Sequence, residues 1–409
     1  MRLLIASTEA PLQPLGGLRQ PLHELVLRLG ERHDVDLIAY RWPDQTEAPL
    51  DGARTRYVPV PVRSRLARGG SFLMASARSR PLRALELEAP MRHEVQKALA
   101  QNRFDAVHIA GLPIATLAPD VSAVPNVMVL LDAWHLNARA EVPTAPVLMR
   151  PLKALEARNT ARFEGTQLRH FDRVVTVSER DASALTRLDP QIKTSVIPNG
   201  VDADFFAPIA RVPERHLTVF VGTMSWAPNV QAARYMAREI LPRVRSAYPD
   251  AKFAVVGRGI EASVAEELAT YPGVSVIGEV SDVRTWLSRA HVGVCPMVSG
   301  TGIKNKLLEA MAAGVPSVAT PLACQGIEGL SERQVLIADG AETFASRVTR
   351  IFADDVLAAR LATEARSHVL RFHTWDRMTE RFEDLYATVA HERKAALNGA
   401  APRAVHGRL

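Results

Sequence analysis

The sequence predicts an α/β protein with two consecutive, doubly wound parallel sheets. Short β-branched and apolar runs alternate with helical stretches along the chain, a pattern typical of βαβ units. The pattern breaks at Pro198-Asn199-Gly200-Val201-Asp202, where turn residues interrupt it, and the series of strands then restarts. A length of 409 residues also exceeds one ordinary domain. These observations favour two sheets joined by a hinge near residues 200–210.

Each half of the chain supplies its own series of strand candidates. In the first half they are Arg2–Ser7, Val35–Tyr40, Ala106–Ile109, Asn126–Leu131, Arg173–Ser178 and Thr194–Ile197. In the second half they are Thr218–Gly222, Lys252–Gly257, Val274–Gly278, Val292–Pro296, Ser317–Thr320 and Val335–Ile337. Ligands of such sheets bind at the carboxyl ends of the strands. The glycine-containing segments that fall at those ends are Gly16-Gly17, Gly222-Thr223, Gly257-Arg258 and Gly300 to Lys304.

Composition narrows the class of protein and its partners. The hydrophobic content of 47% is that of a globular protein, and no apolar run approaches the roughly 20 residues of a membrane span. The start, Met1–Ala6, is too short for a signal-peptide core. The only cysteines, Cys295 and Cys324, lie in apolar contexts, so we expect inert core thiols and a cytoplasmic location. A net charge of +6 fits anionic substrates, and no pattern of a nucleic-acid-binding module is present.

The segment Gly300–Pro316 is the most informative part of the chain. Two glycines flank Thr301 directly before a helix-forming run, so backbone N–H groups face outward where a helix begins and favour an anion there. Lys304 and Lys306 add positive charge. Glu309 follows two helical turns after Thr301, and its carboxylate suits a sugar hydroxyl better than a phosphate. From the residues alone, a buried helix preceded by an ordinary glycine turn remains an alternative.

An ordered set of motifs carries a resemblance to a known family. The set runs from Pro198-Asn199-Gly200-Val201-Asp202, through the segment Phe220–Asn229, to Gly300–Pro316. Weaker support comes from the glycine pair Gly16-Gly17, from Val177-Ser178-Glu179 and from Pro296. On these residues the chain resembles a glycosyltransferase of the GT-B fold, within the large retaining family 4. The resemblance spans nearly the whole chain and implies two doubly wound Rossmann-like domains that face each other across a cleft.

The resemblance also assigns a task to each part of the chain. Residues 1–203 would form the acceptor-side domain, and residues 204–374 would form the domain that binds a nucleotide sugar. A C-terminal helix at residues 375–394 is expected to pack back on the first domain. The small, polar residues 395–409 are expected to be disordered.

Two features of the donor site depart from the family pattern. Glu309 matches the family glutamate that hydrogen-bonds the ribose, but Thr301 stands where a second glutamate is usual, as in a branch with a Gly-Thr-Gly-Ile-Lys type sequence. The basic pair usual for the diphosphate is also missing, since the segment Thr223–Asn229 contains no Lys or Arg. The resemblance gives these donor-binding candidates: Gly16, Gly17, Gly222, Thr223, Asn229, Arg258, Val280, Thr301, Gly302, Ile303, Lys304 and Glu309.

Charge for the diphosphate must therefore come from other residues. Lys304, Lys306 and Arg258 are the candidates near the same strand ends. A solvated loop position remains an equal alternative for Arg258, and an outward-facing, solvated side chain is favoured for Lys306. Val280 matches the family position whose backbone meets the nucleobase.

The candidate catalytic residues are His135, Asp132 and Lys304. His135 and Asp132 follow the strand Asn126–Leu131, where the family often has a histidine that faces the transferred sugar, although a surface or capping role stays open. In the family the leaving diphosphate is thought to help deprotonate the acceptor, so no dedicated base is required. No His/Cys/Asp cluster shows metal-ligand spacing, and we expect neither a metal nor a cofactor beyond the nucleotide sugar as co-substrate.

The segment between Gly52 and Leu85 is unusually basic. It contains no acidic residue and includes the apolar run Phe72-Leu73-Met74. Such a composition suits an anionic membrane surface or a lipid-diphosphate acceptor, and a solvated loop that stays basic for solubility is the alternative. The prediction places the protein peripherally on the inner face of the membrane through residues 54–83. The arginines concerned are Arg54, Arg56, Arg63, Arg65, Arg68, Arg78, Arg80 and Arg83.

The resemblance implies a retaining, metal-independent hexosyltransferase that moves a sugar from a nucleoside diphosphate sugar to an acceptor hydroxyl. Its product would belong to cell-surface polysaccharide, glycolipid or secondary metabolism, with a lipid-linked acceptor as one candidate. A non-catalytic nucleotide-sugar-binding protein and a GT-B epimerase or phosphorylase are the alternatives. The sequence does not specify the nucleotide, the sugar, the acceptor, the linkage or the oligomeric state.

Overall fold

The computed structural model describes residues 1–13, 17–43, 45, 48–60, 82–143, 145–207, 211–300 and 302–399. Two compact units divide the chain. The first consists of Met1–Ile197 together with Met378–Leu409, and the second of Pro198–Arg377. Each unit is built around one parallel sheet with helices between its strands, so the predicted fold class is confirmed.

The first unit contains a seven-stranded parallel sheet with the strand order β3-β2-β1-β4-β5-β6-β7. Its strands are β1 (Arg2–Ser7), β2 (Asp34–Arg41), β3 (Arg54–Pro59), β4 (Ala106–Ala110), β5 (Asn126–Val129), β6 (Arg173–Thr176) and β7 (Thr194–Val196). Its helices up to the division are α1 (Arg19–Gly30), α2 (Leu82–Gln101), α3 (Trp134–Glu141), α4 (Arg150–Leu168) and α5 (Glu179–Leu188).

The second unit contains a six-stranded parallel sheet with the strand order β10-β9-β8-β11-β12-β13. Its strands are β8 (Leu217–Val221), β9 (Lys252–Val256), β10 (Val274–Gly278), β11 (Val292–Cys295), β12 (Ser317–Ala319) and β13 (Leu336–Ile337). Its helices are α6 (Ala227–Tyr235), α7 (Leu241–Ala247), α8 (Ala262–Ala269), α9 (Arg284–Arg289), α10 (Asn305–Ala312), α11 (Pro321–Cys324), α12 (Ala341–Ala353) and α13 (Asp355–Phe372). The last helix, α14 (Trp375–Gly399), begins in this unit and continues into the first.

The order of the strands creates one switch point in each sheet. In the first sheet the order reverses between β1 and β4, and in the second it reverses between β8 and β11. Loops that leave the two strands at a switch point turn to opposite faces of the sheet and open a crevice at its carboxyl edge. In the second unit, the loops that begin at Gly222 and Pro296 therefore flank the expected crevice.

Strand β3 was missed in the sequence because it lies at the edge of its sheet. Among the described strands it pairs only with β2, and one of its six residues, Val58, is buried, so the continuous apolar run of a central strand is absent. Two of the eight arginines of the basic segment belong to this strand. Arg54 Nε donates to Asp36 Oδ1 at 2.6 Å, and Arg56 pairs with Glu94. These two charges are compensated by carboxylates from other parts of the protein, although the basic segment itself contains no acidic residue.

The boundaries of the domains differ from the predicted ones. The division falls between Ile197 and Pro198 instead of after residue 203. Val201 explains the earlier boundary, because its N–H donates to the His373 carbonyl at 2.8 Å within the second unit. Helix α14 also extends to Gly399, so residues 395–399 are helical and do not belong to a tail. Its length follows from a run of helix-forming residues up to Leu397.

Helix α14 packs on the first unit through polar contacts along its length. Glu383 accepts hydrogen bonds from Arg32 and from the His33 ring. Further along, Arg173 donates to Glu392, and Arg393 donates to Asp172 at 2.5 Å. Within the described residues, no helix combines the length and the apolar character that a membrane span requires.

Several predicted features lie outside the described residues. They are Gly16, Thr301, the tail from residue 400 and the part of the basic segment at residues 61–81, which includes Phe72-Leu73-Met74.

A buried histidine on β4 makes the stability of the first unit depend on pH. His108 is 2% exposed, its Nδ1 lies 2.7 Å from the Tyr386 hydroxyl on α14, and burial lowers its pKa to about 3. The folded state therefore keeps His108 neutral, whereas the unfolded chain takes up a proton as the pH falls below 6.5. Stability is consequently lost toward acid by about 1.4 kcal/mol per pH unit in this range.

We expect the wild type to lose about 2 kcal/mol more stability than His108→Asn between pH 7.5 and pH 5. The asparagine keeps a polar group near the Tyr386 hydroxyl but does not titrate. Urea denaturation followed by circular dichroism at both pH values measures the difference. Equal losses in the two proteins would show that His108 does not control this pH dependence.

Candidate functional site

A close contact between two loops shapes the carboxyl edge of the second sheet. The Gly222 N–H donates to the Val256 carbonyl at 2.9 Å, and the Met224 N–H donates to the Arg258 carbonyl at 2.7 Å. Gly257 adopts a φ of +144°, and a Cβ atom there would lie 1.9 Å from the Gly222 oxygen. Only glycine fits this position, and the loops after β8 and β9 are thereby locked together.

The loop after β11 reaches the same edge. Gly300 has a φ of +101°, and a Cβ atom there would lie 2.8 Å from the ring of Trp226 in the loop after β8. Lys304 is 2% exposed, and its Nζ donates to the Gly302 carbonyl of its own loop at 2.6 Å. Helix α10 begins directly afterwards, and no side chain caps its N-terminus. The N–H groups at this helix start therefore remain suited to an anion.

Asn229 lies beneath the loop after β8 with one polar atom unsatisfied. Its Nδ2 donates to the Thr223 carbonyl at 2.8 Å, which holds that loop on the start of α6. Its Oδ1 is buried and has no partner among the described residues, while the side chain as a whole is 3% exposed. Such an atom is costly in isolation, so it marks a place where a ligand or a water is expected.

Lys306 does not face outward, and the sequence interpretation of a solvated side chain is wrong. The side chain is partly buried, with Nζ 5.5 Å from the centroid of the Trp226 ring and 5.9 Å from that of Phe220. Its Cε lies 3.2 Å from the position that a Cβ atom on Gly222 would take. Because Gly222 carries no side chain, the first turn of α10 has room to direct this lysine toward β8. Burial lowers the pKa of Lys306.

Glu309 follows Lys306 by one turn of α10. Its carboxylate receives no hydrogen bond from any described residue, although the side chain is partly buried. Burial raises the pKa of Glu309, and the nearby Lys306 charge opposes that rise. A carboxylate of this kind gains most from hydroxyl groups of a ligand, because they replace the water that burial has removed.

The remaining donor-site candidates differ in their surroundings. Thr223 and Arg258 are exposed, and the Arg258 guanidinium makes no hydrogen bond to a described residue, as expected for the solvated alternative. Val280 and Ile303 are partly buried against the core of the second unit. Gly302 adopts a φ of +66° in the loop before α10, and Gly17 a φ of +54° before α1.

The two cysteines behave as unreactive thiols. Cys295 ends β11 and is buried, and burial raises its pKa. Burial also raises the pKa of Cys324 to about 12. Both thiols therefore stay protonated near neutral pH and are poor nucleophiles. Among the described residues, no three His, Cys, Asp or Glu side chains are grouped so that they could hold a metal ion.

The first unit has a cavity of about 290 Å³ at the switch point of its own sheet. Thr8 and Gly111 line it from the ends of β1 and β4, and Asp132 lines it from the loop after β5. Two tryptophans, Trp42 and Trp134, complete a lining that combines aromatic faces with carboxylates. This combination suits a hydroxylated ring, since aromatic faces pack on its C–H groups and carboxylates accept from its hydroxyls.

Two buried carboxylates fix the loop that carries Asp132. Glu164, which is 0% exposed, accepts from the Trp134 N–H at 2.7 Å, the His135 N–H at 3.1 Å and His135 Nδ1 at 2.6 Å. Asp181 accepts from the Ala133 N–H at 3.1 Å. His135 is therefore a buried member of this network and does not line the cavity, whereas Asp132 does.

The sequence contained only weak signals for the residues that organise these sites. Asp181 stands three residues after Ser178, a spacing that predicts a helix cap, and the Asp181 N–H does donate to the Ser178 hydroxyl. The same carboxylate also reaches Ala133, which the pattern does not show. Glu164 lies 29 residues from His135 within an ordinary helix, and no local signal reveals the pairing.

We expect Glu164→Gln to destabilise the first unit by about 3 kcal/mol, because it removes the charge from a buried acceptor of three hydrogen bonds. Glu156→Gln on the same helix is the matched control. Glu156 is exposed and pairs only with Lys153, so its replacement should change stability by less than about 0.5 kcal/mol. Urea denaturation of both variants measures their free energies of unfolding. Equally small losses of stability in the two variants would show that Glu164 does not organise the loop.

Known families match both units of the chain. Residues 15–205 match the family model for "Glycosyltransferase Family 4", and residues 215–354 match the model for "Glycosyl transferases group 1". The two models together account for most of the chain. Their boundary falls close to the division between the two compact units.

Individual proteins show the same relationship. A phosphatidyl-myo-inositol mannosyltransferase of Mycolicibacterium smegmatis is 25% identical over 402 residues, which cover 95% of this chain and 94% of the relative. An Escherichia coli UDP-Gal:alpha-D-GlcNAc-diphosphoundecaprenol alpha-1,3-galactosyltransferase is 23% identical, covering 92% of this chain and 95% of the relative.

Solved structures share the fold. Sucrose-phosphate synthase from Thermosynechococcus elongatus superposes with a TM-score of 0.70 at 16% identity, covering 95% of this chain and 99% of that structure. Anabaena HepE in complex with UDP gives a TM-score of 0.64 at 12% identity, with coverages of 95% and 100%. From the matched family models and the two parallel sheets, the chain is a glycosyltransferase with the GT-B fold, related to family 4.

Proposed function

We propose that the protein is a retaining, metal-independent hexosyltransferase that moves a sugar from a nucleoside diphosphate sugar to an acceptor hydroxyl. The donor binds the second unit, at the switch point between β8 and β11. The acceptor binds the first unit, in the cavity beside Asp132. The named relatives are a mannosyltransferase and a galactosyltransferase, which supports a hexose as the transferred group.

The Glu309 carboxylate, which is partly buried and accepts no hydrogen bond from a described residue, is the observation that carries this proposal. It lies one helical turn beyond Lys306, so α10 presents a positive group near its start and a negative group one turn further on. A ribose donates hydrogen bonds from its hydroxyl groups to Glu309. A diphosphate accepts hydrogen bonds from Lys306 and from the N–H groups at the helix start. A nucleoside diphosphate combines both chemistries in one molecule, and HepE was solved with UDP.

The anomeric configuration is retained if the leaving diphosphate itself takes the proton of the acceptor hydroxyl, on the face of the sugar from which the diphosphate departs. No side chain is then needed as a general base, and stabilising the charge on the diphosphate provides much of the rate. Asp132 remains the candidate for contact with the transferred sugar or the acceptor, since it lines the cavity. We assign His135 to the support of that loop through Glu164.

A lipid-linked acceptor is our preferred class. The relatives are named for phosphatidyl-myo-inositol and for a diphosphoundecaprenol-linked sugar. Contact with an anionic membrane surface through the basic segment at residues 54–83 remains a prediction, since most of that segment lies outside the described residues. Arg54 and Arg56 contribute less to it than expected, because both already pair with carboxylates.

The experiment that tests this function is a transfer assay with a panel of UDP-, GDP-, ADP- and dTDP-sugars. Each donor is offered with lipid-linked and with small sugar acceptors, with and without a chelator, and products are identified by mass spectrometry and NMR. We expect one donor class to give a product that keeps the anomeric configuration, at an unchanged rate with chelator. Donor binding without any product would favour a non-catalytic binder, and release of an epimerised sugar would favour an epimerase.

We further expect Glu309→Gln to weaken the binding of the preferred donor by about 10- to 100-fold, since a charge-assisted bond to a ribose hydroxyl is lost. The raised pKa of Glu309 adds a pH test. Wild-type affinity should fall toward acid as this carboxylate takes up a proton, and the variant should lack that part of the fall. Calorimetric titration measures both effects, with the exposed Glu266→Gln as control. Unchanged affinity in a folded variant would exclude Glu309 from the site.

A further inference from the structure

We infer that Lys306 supplies the positive charge that binds the donor diphosphate, in place of the basic pair that the loop after β8 lacks. The inference rests on the proposed function and specifies one residue of the donor site. The family resemblance implies cations directly after the first strand of the second domain, but the segment Thr223–Asn229 of this chain contains none.

The Lys306 side chain reaches the loop after β8, where the basic pair is missing, although Lys306 itself belongs to α10. Its side chain crosses from the first turn of α10 to the end of β8, and its Cε lies beside Gly222. The Asn229 amide flanks Gly222 as well, since a Cβ atom on that glycine would lie 2.8 Å from Asn229 Nδ2. The ammonium therefore lies where the loop after β8 turns into α6, which is where a basic residue of that loop would stand.

The ammonium of Lys306 is also uncommitted. It makes no hydrogen bond and no ion pair with any described residue. The ring centroids of Trp226 and Phe220 lie 5.5 and 5.9 Å from Nζ, and the Glu309 carboxylate attracts the ammonium at longer range. Contact with aromatic faces compensates part of the lost hydration of a cation but leaves its N–H groups unpaired. A partly buried ammonium in this state gains most from a strong anionic acceptor, because removing it from water has already weakened competing solvation.

The other two cations near the site are less suited to this role. The Lys304 ammonium is directed into its own loop, where it donates to the Gly302 carbonyl. Its contact with that carbonyl indicates that Lys304 holds the loop in shape before α10 begins. Arg258 is exposed and receives no orienting contact from a described residue. Lys306 alone of the three is both oriented by packing and free to donate, within the part of the chain that the structure describes.

The spacing of Lys306 and Glu309 also gives the donor a direction. Residues three apart on a helix are neighbours on one face. A diphosphate is attracted to Lys306 and repelled by Glu309, while ribose hydroxyls favour the carboxylate. The nucleoside is therefore expected further along α10, and the diphosphate toward the helix start, where the uncapped N–H groups add their attraction.

The test compares ligands with and without the diphosphate. UDP, GDP and ADP are titrated into the wild type by calorimetry, and the tightest binder is studied together with its parent nucleoside, which is measured by competition. Lys306→Met keeps an apolar chain between the two rings, and Lys306→Arg keeps the charge. Lys252→Met is the matched control, since Lys252 lies at the opposite end of the sheet and pairs with Glu214.

We expect Lys306→Met to weaken nucleoside diphosphate binding by about 10- to 100-fold while nucleoside affinity changes less than about twofold. Lys306→Arg should recover part of the loss, and Lys252→Met should match the wild type. The salt dependence of diphosphate binding should also weaken in Lys306→Met.

Other outcomes would overturn the inference. If Lys306→Met loses affinity equally for nucleoside and diphosphate, or Lys306→Arg recovers nothing, the lysine is a packing residue. Unchanged diphosphate binding in the folded Lys306→Met variant would also refute it, while the proposed function would stand. If the wild type binds none of the three nucleoside diphosphates, the proposed function fails first, and the inference fails with it.

Discussion

The contact between the Gly222 carbonyl and the α-carbon of Gly257 is the constraint on which the second unit's site depends. Side chains are excluded at this point, so the loops after β8 and β9 approach as closely as backbones can. The backbone hydrogen bonds on either side fix the same geometry. The absence of a side chain on Gly222 then leaves the space that Lys306 occupies. The lack of a side chain at Gly222 therefore determines where the Lys306 ammonium can lie.

The two units differ in whether their buried or partly buried charged side chains have hydrogen-bonding partners. The second unit holds the partly buried Lys306 and Glu309 within one turn of each other, where their charges attract, but neither has a hydrogen-bonding partner among the described residues. The first unit buries carboxylates, but these are hydrogen-bonded: Glu164 accepts from two backbone N–H groups and the His135 ring, and Asp181 accepts from the Ala133 N–H. Partly buried charge without a hydrogen-bonding partner is costly, and it is typical of sites that bind a ligand. Buried charge with hydrogen-bonding partners instead gives a loop one fixed shape.

Much of the fold could be predicted from the sequence, because strands buried on both faces appear as continuous apolar runs. Strand β3 could not, since an edge strand with alternating arginines lacks that run. The loops at the carboxyl edge of the second sheet could be predicted from their glycines, which are local signals. The direction of Lys306 was mispredicted because it depends on an empty space beside Gly222, 84 residues away in sequence. Contacts such as Glu164 with His135 likewise exist only after the helices have packed.

The network around Asp132 has a consequence for the kind of ligand that the cavity of the first unit can receive. At the start of α3, the N–H groups of Ala133, Trp134 and His135 are all occupied by the protein's own carboxylates. This helix start is thus already neutralised and offers no attraction to a phosphate, unlike the uncapped start of α10. A ligand that carries a phosphate must place that group elsewhere and present its neutral, hydroxylated part to the cavity.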